Sequence, residues 1–146
     1  MTELNFVHKV QNYIRADHPG AVVLKPNDRN TQGIPDLLVF HHSCTAALEL
    51  KSVDHQPRDR FAPWLSHPFT MPQVVLLRDM AAQGVVALGL IEYRIEDAIY
   101  AMHPMDLTPS LSLNDVIDKG KLVEDGVGFL HHMKMIMAQF NEKRRS

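Results

Sequence analysis

Two charged motifs border the apolar stretches near the middle of the chain, and together they restrict its fold more than any other feature. Residues 33–36 read Gly-Ile-Pro-Asp and residues 49–51 read Glu-Leu-Lys. The apolar runs between them, separated by a short polar stretch, predict a β-hairpin. Side chains alternate between the faces of a strand, so Glu49 and Lys51 share one face. An antiparallel partner then brings Asp36 beside Glu49.

The predicted cluster of two carboxylates and one ammonium group suits a site for a hard divalent cation. Mg²⁺ and Mn²⁺ prefer oxygen ligands, and the two motifs contain no thiol. Glu49 lies between two leucines, where an unpaired carboxylate is costly to bury. Its partner is therefore either a metal ion or, as the structural alternative, Lys51 in a salt bridge. Such a cluster is what metal-assisted hydrolysis of a phosphodiester requires.

The order and spacing of these motifs resemble the core motif of the PD-(D/E)xK nuclease superfamily. The matching residues are Pro35-Asp36 and Glu49-Leu50-Lys51. Gly33, and a helix that Gln73 opens and Gly84 ends, are similar to the virus-type replication-repair nuclease (VRR-NUC) branch and to the related Holliday-junction resolvases. The similarity covers residues 3–91. It implies an α/β fold with a restriction-endonuclease-like core, in which a central mixed β-sheet is flanked by helices.

The resemblance also implies which residues bind metal. Asp36, Glu49 and the main-chain oxygen of Leu50 would be ligands, and Glu3 on the first helix would bind the metal directly or through water. Glu3 has an equally good structural explanation, because the helix macrodipole favours acidic residues in the first turn. The expected cofactor is Mg²⁺, with Mn²⁺ as a substitute.

Two further residues have catalytic roles in the same resemblance. Lys51 would lie near the attacking water and the scissile phosphate, where it offsets developing negative charge or accepts a proton. Gln73 would orient the water or the phosphate. The stretch Thr70-Met71-Pro72-Gln73 also has the form of a capping box, so the Gln73 side chain has a structural role to fill as well.

Contacts to a nucleic-acid substrate are expected from the loop at residues 53–69, which shows no clean periodicity. Arg58 and Arg60 offer donors to phosphates, and Trp64 offers a ring on which an unpaired base could stack. Gln32, in the polar loop just before the first motif, is a further candidate contact. Alternatively, the aromatic side chains of the 53–69 loop anchor that loop to the core.

Hydrophobic periodicity and capping signals predict the remaining elements. We expect helices at 3–16, 73–84 and 126–143, a short helix within 107–119, and strands at 21–25 and 85–91, while 93–102 is ambiguous. Residues 1–92 would form the nuclease core and residues 93–146 a helical C-terminal extension, packed on the core or used in dimerisation. The apolar stripe of the last helix either covers the sheet of its own chain or forms the seam of a homodimer.

Composition agrees with one compact domain and limits its location. A chain of 146 residues with 45% hydrophobic content can bury a sizeable core. The longest apolar stretch, residues 85–91, is far below the ~18 residues of a membrane span, and the N-terminus lacks the features of a signal peptide. We therefore expect a cytoplasmic protein, associated with the nucleoid or present in an infected host cell. The single Cys44 excludes an internal disulfide and a Cys-rich zinc module.

The function that these features favour is hydrolysis of DNA by a Mg²⁺-dependent endodeoxyribonuclease. The expected substrates are junction, flap or otherwise branched DNA in recombination, repair or phage replication, because so small a chain has little room for a sequence-recognition domain. The net charge of −2 argues against an extensive basic footprint. It motivates the main alternative, a non-catalytic scaffold that binds nucleic acid or protein and retains the nuclease fold. A restriction-type enzyme and a phosphohydrolase acting on free nucleotides are further alternatives.

Overall fold

A six-stranded mixed β-sheet with helices on both faces forms the centre of the molecule. The computed structural model describes residues 3–26, 32–124 and 128–145. In chain order the main elements are α1 (Glu3–Asp17), β1 (Val22–Leu24), β2 (Leu37–His41), β3 (Cys44–Val53), α2 (Met71–Ala82), β4 (Val86–Tyr93), β5 (Ala98–Met102), α3 (Leu113–Lys119), β6 (Lys121–Leu122) and α4 (Phe129–Arg145). The predicted fold class, an α/β fold with a central mixed sheet flanked by helices, is confirmed.

The strands lie in the sheet in the order in which they occur in the chain, from β1 at one edge to β6 at the other. β3 and β4 run parallel, and every other neighbouring pair is antiparallel. β2 and β3 form the predicted hairpin, with His41 paired to Cys44 next to its turn. β4 is buried along its whole length, because helices cover both faces of the sheet at this point.

The two faces of the sheet pack against different helices. On one face, Leu50 of β3 packs with residues of α1 and α4, and we call it the α1 face. On the other, Ala47 and Val53 pack with residues of α2 and α3, and we call it the α2 face. Because strand side chains alternate, Glu49 and Lys51 belong to the α2 face.

Side-chain capping explains where α2 begins. The Thr70 hydroxyl accepts a hydrogen bond from the Gln73 N–H at 3.4 Å, and the Gln73 side-chain oxygen accepts one from the Thr70 N–H at 2.9 Å. The capping box predicted from the sequence is therefore confirmed. Gly84 follows the helix with a φ of 89°, the left-handed conformation in which many helices end.

The C-terminal part of the chain supplies strands as well as helices. The ambiguous segment 93–102 contains a single 3₁₀ turn followed by β5, which pairs with β4. β6 then extends the sheet by one more short strand. The five residues of β5 lack the alternation of polar and apolar side chains by which a strand is recognised in a sequence. Residues 93–146 therefore contain α3 and α4 and also complete the central sheet.

The apolar stripe of α4 packs against the helix and sheet of its own chain. Met133, Ile136, Met137 and Phe140 are buried in the core that α4 shares with α1. The structure thus shows the first of the two uses predicted for this stripe. The stripe gives no separate argument for a homodimer, which stays a prediction. Neither α4 nor any other helix of the described residues is long and apolar enough to cross a membrane.

Candidate active site

The hairpin brings the two predicted carboxylates into direct contact. β2 begins at Leu37, whose partner in β3 is Leu48. The next pair toward the open end of the hairpin is therefore Asp36 with Glu49. The Asp36 Oδ2 accepts a hydrogen bond from the Leu50 N–H at 2.8 Å, and the Asp36 side chain is also hydrogen-bonded to the Glu49 carboxyl. The predicted approach of Asp36 to Glu49 is confirmed.

Glu49 is almost completely buried, with 1% of its surface exposed. Burial, and then the neighbouring Asp36 carboxyl, raise the pKa of Glu49 to about 9, while the Lys51 ammonium acts in the opposite direction. Near neutral pH the Glu49 carboxyl therefore keeps a proton, which it shares with Asp36. Its Oε1 atom is buried and has no hydrogen-bond partner in the described part of the chain. Burying an oxygen atom without a hydrogen-bond partner costs free energy. Asp36 and Glu49, which we call the carboxyl pair, are therefore incomplete as a purely structural contact.

Lys51 lies two residues beyond Glu49 on the same face of β3. It is 6% exposed, and its Nζ lies 5.5 Å from the centroid of the Phe69 ring, in cation–π contact. Among ion pairs of the described residues, none joins Lys51 to Glu49. The salt bridge considered as the structural partner of Glu49 is thus not formed, and the ammonium lies beside the carboxyl pair without neutralising it directly.

The main chain at Leu50 supports its predicted role as a ligand. In an antiparallel ladder, the N–H and C=O of one residue point toward the same neighbouring strand. The Leu50 N–H reaches Asp36 just outside the first residue pair of β2 and β3, at Leu37. The Leu50 carbonyl oxygen is therefore directed toward the same flank of β3 as Asp36, beyond the first residue pair of the β2–β3 ladder.

The loop before Asp36 is fitted closely against the start of α2. Gly33 has a φ of 82°, which favours glycine. A Cβ atom at Gly33 would lie 2.4 Å from the backbone of Pro72 and 2.7 Å from the Gln73 nitrogen. No side chain can therefore replace glycine here without a shift of the backbone. Gly33 lies three residues before Asp36 in the chain, so this contact brings the N-terminus of α2, which carries Gln73, against the loop that leads to Asp36.

Gln73 is engaged in its cap, as one of the two roles predicted for it requires. The bond to the Thr70 N–H uses the side-chain oxygen of Gln73. A carboxamide also carries an NH₂ group with two donors, which the cap does not need. The capping role and the proposed orientation of water or phosphate are therefore chemically compatible, and the second role stays a prediction.

The donor set at the carboxyl pair fits Mg²⁺. The described residues hold no group of three or more metal-binding side chains of the His, Cys, Asp and Glu types. Mg²⁺ does not need one, because it is usually held by one or two carboxylates together with waters and substrate phosphates. Asp36, Glu49 and the Leu50 carbonyl would supply such a set. The side chain of Glu3, the fourth predicted ligand, lies outside the described part of the chain.

The prediction that Trp64 contacts nucleic acid is wrong, because this side chain is buried. It is 3% exposed, packs edge-on against Tyr93 with the ring centroids 4.8 Å apart, and donates from Nε1 to the His55 carbonyl at 3.3 Å. Its backbone N–H also donates to the Leu111 carbonyl at 3.0 Å. Trp64 therefore anchors the 53–69 loop to the core, which is the alternative that the sequence left open.

The other predicted nucleic-acid contacts are exposed. Arg58, Arg60 and Gln32 are all accessible to a ligand. The Arg60 guanidinium lies 5.7 Å from the centroid of the exposed Phe61 ring, and the Arg60 carbonyl accepts from the Asn114 N–H at 2.9 Å. The structure thus fixes the backbone of this loop while leaving its arginine side chains at the surface. It does not join them to the carboxyl pair by any hydrogen bond or ion pair among the described residues.

A polar cluster that the sequence analysis missed lies on the α1 face at the end of β3 and β4. Glu92 is buried, and its carboxylate accepts from the Lys9 ammonium at 3.0 Å and from the Ser52 hydroxyl at 2.9 Å. Ser52 follows Lys51, so this cluster ties α1 to the strand end that carries the ammonium. A signal existed, since Glu92 directly follows the apolar run that predicted β4.

No protein-family model matches the chain, and no curated protein matches it by sequence. The likeness to PD-(D/E)xK nucleases therefore depends on the two motifs and on the contact that the fold creates between them. Membership of that superfamily stays a prediction. The chemistry of Asp36, Glu49 and Lys51 is the basis on which a function can be argued.

Proposed function

We propose that this chain is a Mg²⁺-dependent DNA endonuclease of the PD-(D/E)xK type that acts on branched, flap or junction DNA, with Mn²⁺ able to replace Mg²⁺. The observation that carries the proposal is the buried Oε1 of Glu49, which has no hydrogen-bond partner among the described residues although its carboxyl is held against Asp36. A divalent cation in place of the shared proton would satisfy both carboxylates. When bound, Mg²⁺ polarises a phosphoryl oxygen and lowers the pKa of a water nucleophile.

The protein groups around this position have complementary roles in phosphodiester hydrolysis. The Leu50 N–H holds the Asp36 carboxylate in place, and the carboxylate has further oxygen lone pairs with which to bind a metal. Lys51, nearly buried beside Phe69, places a positive charge where a phosphate gains negative charge during attack by water. Gln73 at the start of α2 supplies an amide donor for the water or the phosphate.

DNA is the substrate that best fits the surroundings of the site. The loop at 53–69 continues directly from β3 and exposes Arg58 and Arg60 close in sequence to Lys51. Guanidinium groups are suited to phosphate oxygens.

The direct test is a cleavage panel of supercoiled, linear, single-stranded, flap and four-way DNA in Mg²⁺, Mn²⁺ or EDTA. We expect cutting of the branched substrates in either metal and none in EDTA. Asp36→Asn keeps an oxygen that can accept from the Leu50 N–H but removes the charge, and it should slow cutting by about 10²-fold or more. Asp79→Asn, exposed on α2, is the matched control and should cut as wild type does. Absence of metal-dependent cutting by the wild-type protein, or equal cutting by Asp36→Asn, would contradict the proposal.

A non-catalytic scaffold is the second candidate, and one observation favours it. A protonated Glu49 that donates to Asp36 gives a hydrogen-bonded pair with a single negative charge, and this pair forms without a metal. Calorimetric titration with Mg²⁺ or Mn²⁺ separates the candidates. A nuclease should bind the ion and release the shared proton, so the measured heat should change with the ionisation enthalpy of the buffer. A scaffold should give no binding heat. If the protein is a nuclease, the Glu49→Gln variant should also give no binding heat.

A further inference from the structure

A cavity of about 430 Å³ at the β6 edge of the sheet gathers positive charge in a chain whose net charge is −2. Its charged lining residues are Lys119, Lys121, Lys143, Arg144, Asp106 and Asp118. The cations outnumber the carboxylates by four to two. We call it the edge pocket. It is formed entirely by the C-terminal part of the chain, for which the nuclease proposal gives no function.

The edge pocket is held in shape by close packing. At Gly120, between α3 and β6, a Cβ atom would lie 2.5 Å from the Val116 carbonyl oxygen and 2.9 Å from the Met102 sulfur. The Lys121 Nζ lies 5.8 Å from the centroid of the Phe140 ring. The tight turn and the ring therefore fix where the Lys121 ammonium enters the pocket.

One ion pair of the structure lies within the edge pocket. Arg144 donates to the Asp106 carboxylate at 2.8 Å, which neutralises one of the two acidic groups. Lysines near helix ends complement the macrodipole, and a lysine on an edge strand discourages aggregation, so each cation taken singly has a structural explanation. Neither effect requires cations from α3, β6 and α4 to converge on one cavity.

The sheet register gives the position of the edge pocket relative to the carboxyl pair. Leu50 pairs with Leu90, Leu90 with Ala101, and Ala101 with Lys121. Three strand spacings of ~4.8 Å therefore separate the backbones of Leu50 and Lys121 by roughly 14 Å. Lys121 contacts Phe140 on the α1 face, whereas Glu49 belongs to the α2 face. Asp118 and Lys119 belong to α3, which packs on the α2 face, so the edge pocket opens at the β6 edge itself, between α3 and α4.

We propose that the edge pocket binds backbone phosphates of a second DNA segment while the carboxyl pair holds the first. This inference rests on the proposed nuclease function. One arm of a branched substrate can lie at the carboxyl pair while a second arm reaches the β6 edge, because the arms diverge from one point. The edge pocket would therefore make the protein prefer branched over linear DNA.

The test compares the affinities of a synthetic four-way junction and a linear duplex of the same arm length, measured by fluorescence anisotropy in EDTA. Lys119→Ala combined with Lys121→Ala should weaken junction binding about tenfold and leave duplex binding unchanged. The slope of log affinity against log salt for the junction should become shallower by about two. Lys119→Arg combined with Lys121→Arg should restore junction binding, since it restores the charges.

Arg15→Ala combined with Lys134→Ala is the matched control, because it removes the same charge from exposed positions away from the edge pocket. Unchanged junction affinity in the Lys119 and Lys121 alanine variant, or an equal loss in the control, would overturn the proposal. The proposal would also be overturned if sodium phosphate shifted the NMR signal of the Gly120 amide and junction DNA did not. The EDTA assay measures binding and needs no cleavage. If junction binding depends on the edge pocket but the protein has no nuclease activity, the nuclease function alone is contradicted.

Discussion

Replacing Lys51 by alanine should lower the rate of metal-dependent DNA cleavage by about 10² to 10³-fold while the protein remains folded. The fold places the Lys51 ammonium beside Asp36 and Glu49, and no ion pair among the described residues joins it to Glu49. Its loss should affect stabilisation of the phosphate during attack more than binding of the metal. Initial cleavage rates on junction DNA, together with calorimetric Mg²⁺ affinity, measure the two effects separately.

Because Lys51 packs on Phe69, alanine also removes an apolar contact. Lys51→Met keeps most of that contact and removes only the charge, so it should cut as slowly as the alanine variant but unfold at a temperature closer to wild type. Lys134→Met, at an exposed position of α4, controls for loss of a lysine elsewhere. Wild-type cutting rates in a pure Lys51→Met protein would remove Lys51 from the mechanism.

Replacing Glu49 by glutamine should stabilise the protein at alkaline pH. The folded state raises the pKa of Glu49 from the ordinary 4.5 to about 9. Between these values the folded protein binds a proton that the unfolded chain releases, so its stability falls as pH rises, by roughly 1 kcal/mol per pH unit. Below pH 4.5 the penalty is absent. Glutamine resembles the protonated carboxyl and does not titrate, so the gain at pH 8 should be on the order of 2 to 4 kcal/mol.

Urea unfolding of wild type and Glu49→Gln across pH 5 to 9, without divalent ions, measures this effect. The difference in unfolding free energy should widen as pH rises. Glu142→Gln, exposed on α4, should follow wild type at every pH. A constant difference between wild type and Glu49→Gln would mean that Glu49 is ionised throughout this range. Added Mg²⁺ should stabilise wild type alone, because only the carboxylate can replace its proton by the ion.

The sequence predicted the parts of the fold that depend on local pattern. The hairpin follows from two apolar runs around a short polar stretch. The alternation of side chains along a strand was enough to place Glu49 and Lys51 on one face. α2 followed from its capping box, and Asp36 was paired with Glu49 because the hairpin register leaves little choice. These features depend on residues close in sequence, or on one turn.

Features that depend on distant contacts could not be read from the sequence. The sequence does not show whether the Trp64 ring is exposed to solvent or, as in the structure, packs against Tyr93. β5 has no pattern of its own and is a strand because β4 offers it a ladder partner. The proton on Glu49 is likewise a consequence of three-dimensional burial, which converts the expected pair of carboxylates into one that shares a proton.

The attachment of the 53–69 loop has a consequence for the order of events during synthesis. Its backbone is joined to the segment just before and within α3, through Trp64 to Leu111 and through Arg60 to Asn114. These partners leave the ribosome about fifty residues later than the loop itself. The hairpin with Asp36 and Glu49 can therefore form early in a nascent chain, whereas Arg60 reaches its final position only after Asn114 has emerged.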